Sequence, residues 1–172
     1  RPMVKAAYSS GTPAYGSGAG NATMIYDETT NIDEATYNTM LSKTSDYGSG
    51  CSSDGNIIIY DKIYDDVLKG LEKHGGYLAN AEEREMLKKV MWDEEGHRLS
   101  DTVAIAPQKL AEAAGFTIPA DRKFIVVEGD GIGKEYPFSG EKLTTLLATH
   151  KYSGEFENAL DVMRAIYEVG GK

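Results

Sequence analysis

One stretch of the chain has the composition of a reactive thiol loop: Ser45-Asp46-Tyr47-Gly48-Ser49-Gly50-Cys51-Ser52-Ser53. A core cysteine usually has apolar neighbours, whereas small polar residues and glycines surround this one. Glycine lets the backbone bring a substrate close to sulfur, and the N–H of Cys51 or its neighbour can donate to a developing oxyanion. Two readings stay open on these residues alone: a nucleophilic thiolate and a structural loop cysteine. In the first, Ser49, Gly50, Ser52 and Ser53 are the residues that would meet substrate.

Other patterns carry less chemistry. His74, His97 and His150 have no metal-ligand spacing with Cys51, so no metal is expected there and each is read as a surface histidine. Gly129-Asp130-Gly131-Ile132-Gly133-Lys134 has the letters of a phosphate loop without the Gly-Lys-Ser/Thr ending that opens a helix, and reads as an ordinary loop. The Gly16 to Gly20 turn lacks the dinucleotide fingerprint. Glu141, taken alone, is an exposed loop carboxylate, and Glu82-Glu83-Arg84-Glu85 is the solvated face of a helix.

The elements that must position Cys51 follow from periodicity and punctuation. A short helix over 3–9 stops at Gly11 and Pro13, and a strand is expected over 22–26. Asn31 and Glu34 form a capping box for a helix running to about Tyr47, with Ile32, Ala35 and Thr39 on one face. Asn56-Ile57-Ile58-Ile59-Tyr60 reads as a buried strand, and Asp61 as the cap of a helix with Ile63, Val67 and Leu71 that ends at His74-Gly75-Gly76. Asn80 and Glu83 cap a helix carrying Met86, Leu87, Val90 and Met91, and Pro107 opens another closed by Gly115. Strands are expected over 123–127 and 143–148, and a last helix lines up Phe156, Leu160, Met163 and Tyr167. This alternation predicts an α/β fold: an open, mostly parallel sheet with helices on both faces, whose ligands sit outside the carboxyl ends of the strands.

Bulk composition narrows the function classes. At 172 residues and 41% hydrophobic the chain matches one domain, and its formal charge of −9 argues against nucleic acid as a partner. No apolar run approaches the roughly 20 residues of a membrane helix, and a lone cysteine fits a reducing compartment; a cytoplasmic location is expected, with a bacterial microcompartment as its variant. The starts and stops at Arg1-Pro2-Met3 and Gly170-Gly171-Lys172 lack terminal elements, so residues 1–172 are expected to be one cysteine-bearing domain cut from a longer chain.

Several ordered stretches resemble a known family, the aldehyde dehydrogenases, in their CoA-acylating branch. Met3 to Gly11, Pro13 to Gly16 and Gly18 to Asn21 look like the passage where that family leaves its cofactor domain. Asp27-Glu28-Thr29, Ile32-Asp33 and Ser42-Lys43-Thr44 resemble the helix before the catalytic cysteine, and Phe138-Ser139-Gly140-Glu141-Lys142-Leu143 resembles the segment giving a glutamate to the nicotinamide ribose.

The resemblance implies Cys51 as nucleophile, Glu141 as the ribose contact, NAD or NADP as cofactor and CoA as co-substrate. Hydrolytic members carry a glutamate in a Glu-Leu-Gly-Gly-Lys stretch, and the matching run Gly16 to Asn21 has no carboxylate, which points to CoA over water as acyl acceptor. After Glu141 the hydrolytic Phe-Gly-Pro signature is replaced by Lys142-Leu143-Thr144. Ser52-Ser53-Asp54-Gly55, Met91-Trp92-Asp93 and Asp130 to Gly133 are similar to acylating enzymes for sulfoacetaldehyde, with acetaldehyde, glycolaldehyde and succinate semialdehyde left open. The implied dinucleotide domain would lie before Arg1, so these residues alone are expected to bind NAD weakly and turn nothing over, and the full-length protein to be a homo-oligomer. A hydrolytic dehydrogenase and a non-catalytic α/β interaction domain are the rival readings.

Overall fold

A computed structural model describes residues 2–16 and 20–170. Expectations that fall on Ser17, Gly18, Ala19 and Gly171 lie outside the described residues. The elements run α1 (Pro2–Tyr8), β1 (Thr23–Tyr26), α2 (Ile32–Thr44), β2 (Asn56–Tyr60), α3 (Tyr64–Lys73), β3 (Gly76–Leu78), α4 (Ala81–Met91), α5 (Pro107–Ala114), β4 (Phe124–Glu128), β5 (Leu146–Tyr152) and α6 (Phe156–Gly170). The five strands form one sheet in the order β1-β2-β5-β4-β3, and every pairing is parallel.

Alternating side chains divide the core between the sheet's two faces. Ile57 and Ile59 of β2, with Phe124 and Val126 of β4 and Leu147 of β5, pack against α2 and α3 through Met40, Val67 and Leu71. On the other face Ile125, Val127, Leu146 and Ala148 meet Leu87 and Met91 of α4 and Leu110 of α5, while Ile58 meets Ala159 and Ile166 of α6. Burying each of the three β2 isoleucines, all fully enclosed, is worth roughly 1.5–3 kcal/mol against exposure. Helices therefore cover both faces of an open parallel sheet, as expected. The Asn80–Glu83 capping box forms with both bonds at 2.9 Å.

Several local expectations are corrected. At Asn31 only half a capping box forms, because the Glu34 carboxylate takes the Asn31 side-chain amide at 3.3 Å. Asp61 opens a 3-10 turn ahead of α3 and does not cap it. Helix α2 ends at Thr44, three residues early, since Asp46, Tyr47 and Gly48 all take left-handed backbone with φ of 46°, 52° and 67°. Strand β5 starts at Leu146 because Leu143 has φ of 52°, and it continues through the polar residues Thr149, His150 and Lys151, held by pairing with β2. Strand β3 is too short for its periodicity to be read. In α6 the buried stripe runs through Ala159 and Ile166, leaving Phe156 exposed.

Candidate functional site

Three loops converge at the amino ends of β1, β2 and β5, which are neighbours in the sheet. Thr23 pairs with Asn56 and Asn56 with Ala148, so the residues preceding each strand are stacked side by side. The general rule for such sheets points to the carboxyl ends. Here Cys51 and Glu141 both precede their strands and lie at the opposite edge.

Gly20 marks the place where they approach each other. A Cβ built there would sit 3.2 Å from the Cys51 carbonyl oxygen, 3.6 Å from Cys51 Cβ and 3.8 Å from Glu141 Oε1. The Cys51 thiol is exposed, while Glu141 is half-buried and burial raises its carboxyl pKa with nothing to offset it. Cys51, Gly50, Ser53, Lys43, Glu141 and Lys142 line a recess of about 10 Å³, room for a single water. Glu141 also borders a larger hollow of about 430 Å³ with Trp92, His97, Arg98 and Lys134. It therefore stands between the thiol recess and an open cleft.

The proposed substrate residues divide by where their polar atoms go. Ser49 donates its hydroxyl to the Asp46 carbonyl at 2.8 Å, and Ser53 donates to the Ser42 carbonyl at 3.1 Å. Both hydroxyls hold the turn in shape. Gly50 lies in the recess wall, where a Cβ would meet only Ser52 Oγ at 4.0 Å, and Ser52 is exposed outside that wall. Gly48 is constrained for a different reason: a Cβ there would come within 2.5 Å of the Thr144 carbonyl oxygen, so the two loops touch through backbone.

Beneath the recess lie polar groups that the sequence reading did not single out as functional. Lys43 occupies the buried stripe of α2 with Thr36, Thr39 and Met40. Burial pushes its ammonium down to about 8, and Asp54 pulls against this only through space. The Asp54 carboxylate accepts instead from Thr39 at 2.9 Å. Lys142, fully enclosed, donates to Asn56 Oδ1 at 2.8 Å and to the Gly140 carbonyl at 2.9 Å. Burial and the nearby Lys43 charge hold its ammonium well below the usual lysine range. His150, expected at the surface, is buried in β5, and burial together with Lys142 lowers it to about 4. Lysine can only donate, so the atom facing Lys142 is the Asn56 oxygen, and neutral His150 gives its Nε2 proton to that same oxygen at 3.2 Å. The buried face of α2 is itself mostly polar, with Thr36 and Thr39 beside Met40, so no apolar stripe in the sequence marks Lys43 as buried.

Arg98 ties a further segment to this floor. Its guanidinium donates to the carbonyls of Lys142 at 2.9 Å, Met91 at 3.0 Å, Leu99 at 2.6 Å and Thr102 at 2.8 Å, and lies over the Trp92 ring at 5.6 Å. Asp93, Glu95 and His97 on the nearby rim have ligand atoms within 4.8 Å of one another, and all three are exposed. No helix among the described residues is long and apolar enough to cross a membrane.

No family model matches the chain. Known proteins do match it along nearly its whole length. The bifunctional aldehyde-alcohol dehydrogenase AdhE of Escherichia coli is 37% identical over 169 residues, covering 98% of this chain and 19% of that protein. The acylating sulfoacetaldehyde dehydrogenase of Cupriavidus necator is 35% identical over 170 residues, covering 98% and 34%. The chain thus spans about a fifth to a third of these relatives. Among solved structures, an acetylating aldehyde dehydrogenase from Geobacillus thermoglucosidasius aligns with TM-score 0.92 and 40% identity over 99% of this chain and 37% of its own. A propionaldehyde dehydrogenase from Rhodopseudomonas palustris, with bound CoA and an acylated cysteine, aligns with TM-score 0.82 and 25% identity over 97% and 37%.

Proposed function

We infer that this chain, whose homologues are acylating aldehyde dehydrogenases, is the cysteine-bearing domain of an enzyme that oxidises a small aldehyde to its acyl-CoA. The approach of Cys51 and Glu141 around Gly20 is the observation that carries this reading. The Cys51 thiolate attacks the aldehyde carbon, and N–H groups of its glycine-rich loop are the donors assigned to the oxyanion of the resulting thiohemiacetal. A nicotinamide cofactor, NAD or NADP, would supply the oxidising equivalent. Glu141 fits its ribose, being a carboxylate with free acceptor capacity at the mouth of an open cleft. Oxidation leaves a Cys51 thioester.

CoA is the reading for the acceptor because the carboxylate that would serve water as base is missing, while Glu141, in the recess wall, is assigned to the ribose. Asp54, the other carboxylate near the recess, is engaged by Thr39, and the run from Gly16 to Asn21 contains none. The CoA thiolate attacks the thioester carbonyl and Cys51 leaves as thiolate, ready for another turn. Sulfoacetaldehyde is the named candidate among small aldehydes, supported by Ser52-Ser53-Asp54-Gly55 and by the Cupriavidus relative. Ser52 is assigned to the sulfonate because its side chain is exposed and its hydroxyl can donate.

Product analysis on the full-length enzyme tests this. Acyl-CoA should appear only with CoA present, and Cys51→Ala should lower kcat by ~10³-fold or more. Free acid formed at the same rate without CoA would defeat the assignment, as would a Cys51→Ala enzyme of undiminished activity.

A further inference from the structure

We propose that Lys142 is a positioning residue that fixes the Cys51 loop and the Glu141 loop relative to each other through Asn56. The proposal rests on the acylating dehydrogenase reading above. Its basis is a closed, buried set of hydrogen bonds in which each participating loop carries one part of the site. The Lys142 ammonium donates to Asn56 Oδ1 at 2.8 Å and to the Gly140 carbonyl at 2.9 Å. From Asn56 the amide donates to Asn21 Oδ1 at 2.9 Å and to the Ser139 carbonyl at 3.3 Å, and Asn21 donates to the same Ser139 carbonyl at 2.8 Å. His150 completes the set on Asn56 Oδ1 at 3.2 Å.

Asn21 belongs to the segment whose Gly20 abuts both Cys51 and Glu141. Asn56 follows the Cys51 loop directly and starts β2. Ser139 and Gly140 lead straight into Glu141. The Asn56 side chain therefore joins all three segments, and Lys142 sets its orientation. Local backbone supports the same conclusion, since Leu143 is forced to φ of 52° immediately after Lys142 and its carbonyl is held by the Ala104 N–H at 2.9 Å.

Stability alone does not account for this lysine. An ammonium taken out of water beside a second buried lysine costs free energy, and an apolar side chain of the same length fills such a slot more cheaply. What the ammonium provides is direction: its donors fix Asn56 Oδ1 on one side and a loop carbonyl on the other. A site of this kind loses function when its supporting bonds loosen, even when its reacting groups are unchanged.

The test is Lys142→Met in the full chain, read in two ways. By amide exchange, residues 20–22, 50–56 and 137–142 should all exchange faster together, by ~10-fold or more, with α4, α5 and β3 unchanged. In the full-length enzyme, KM for the nicotinamide cofactor should rise ~10-fold or more while kcat falls less. Lys142→Gln, which keeps a neutral donor, should recover part of the KM and guards against a Met variant that fails to fold. Faster exchange confined to 140–143 would overturn the coupling, and an unchanged ratio of kcat to KM in both variants would overturn the positioning role. A wild-type enzyme lacking CoA-dependent oxidation would overturn the function on which the proposal rests, and the exchange pattern tells that failure apart from a failure of the coupling.

Discussion

Arg98 and Lys43 are both cations drawn out of water next to Lys142, yet their surroundings differ. The Arg98 guanidinium is enclosed by acceptors: four backbone carbonyls and the Thr102 hydroxyl receive its N–H groups. Burial lowers it only to about 10, so it stays charged at every physiological pH. Lys43 is more deeply buried, feels Asp54 only through space, and is lowered to about 8. The first is a cation used as a fastener, holding residues 91–102 to the Glu141 loop. The second faces a recess shared with the thiol. The Arg98 charge is matched by acceptors on every side and fastens the fold, whereas the burial of the Lys43 charge costs the fold stability.

Removing the fastener should have the largest effect. Arg98→Ala strips donors from five acceptors at once, and unfolding in urea should show a loss of about 3–5 kcal/mol. A loss under ~1 kcal/mol would mean those acceptors find water easily and the contrast with Lys43 is false.

The opposite sign is expected at Lys43. Its folded-state pKa of about 8 lies below the unfolded value of 10.5, so the unfolded chain binds the extra proton between those values and folding is penalised at pH 7. Lys43→Met should therefore be more stable at pH 7 by up to roughly 3 kcal/mol, and the gain should shrink as pH rises from 8 to 10.5. A Met variant less stable than wild type at pH 7 would show that the ammonium has partners that offset its burial.

His150 gives the smallest effect, confined to acid. Its folded pKa of about 4 lies below the unfolded 6.5, so the unfolded chain gains a proton first as pH falls. Stability should decline between pH 6.5 and 4, by no more than about 3 kcal/mol, and level off below. In His150→Gln that part of the decline should vanish from the pH-dependent unfolding curve. If it persists unchanged, carboxylates alone cause it and the buried floor has no share.

These contrasts also separate what was legible in the chain from what was not. The β2 isoleucines, the Asn80–Glu83 box and the glycine-flanked Cys51 are local patterns, and each appears where its pattern places it. The end of α2 and the start of β5 are not legible, because left-handed backbone at Asp46, Tyr47 and Leu143 sets them and no propensity announces it. The burial of His150 is equally illegible. A central strand buried on both faces encloses whatever residue falls there, polar or not.

By itself the sequence determined the open α/β architecture, the small, polar, glycine-rich make-up of the Cys51 loop and the family resemblance, because periodicity, capping and ordered motifs are properties of neighbouring residues. Only the tertiary structure decided that Cys51 and Glu141 share Gly20, that they meet at the amino ends of β1, β2 and β5, and that Lys43, Lys142, Asn56 and His150 lie beneath them. Those facts depend on which strands become neighbours, and that ordering is set by packing helices on both faces of a sheet.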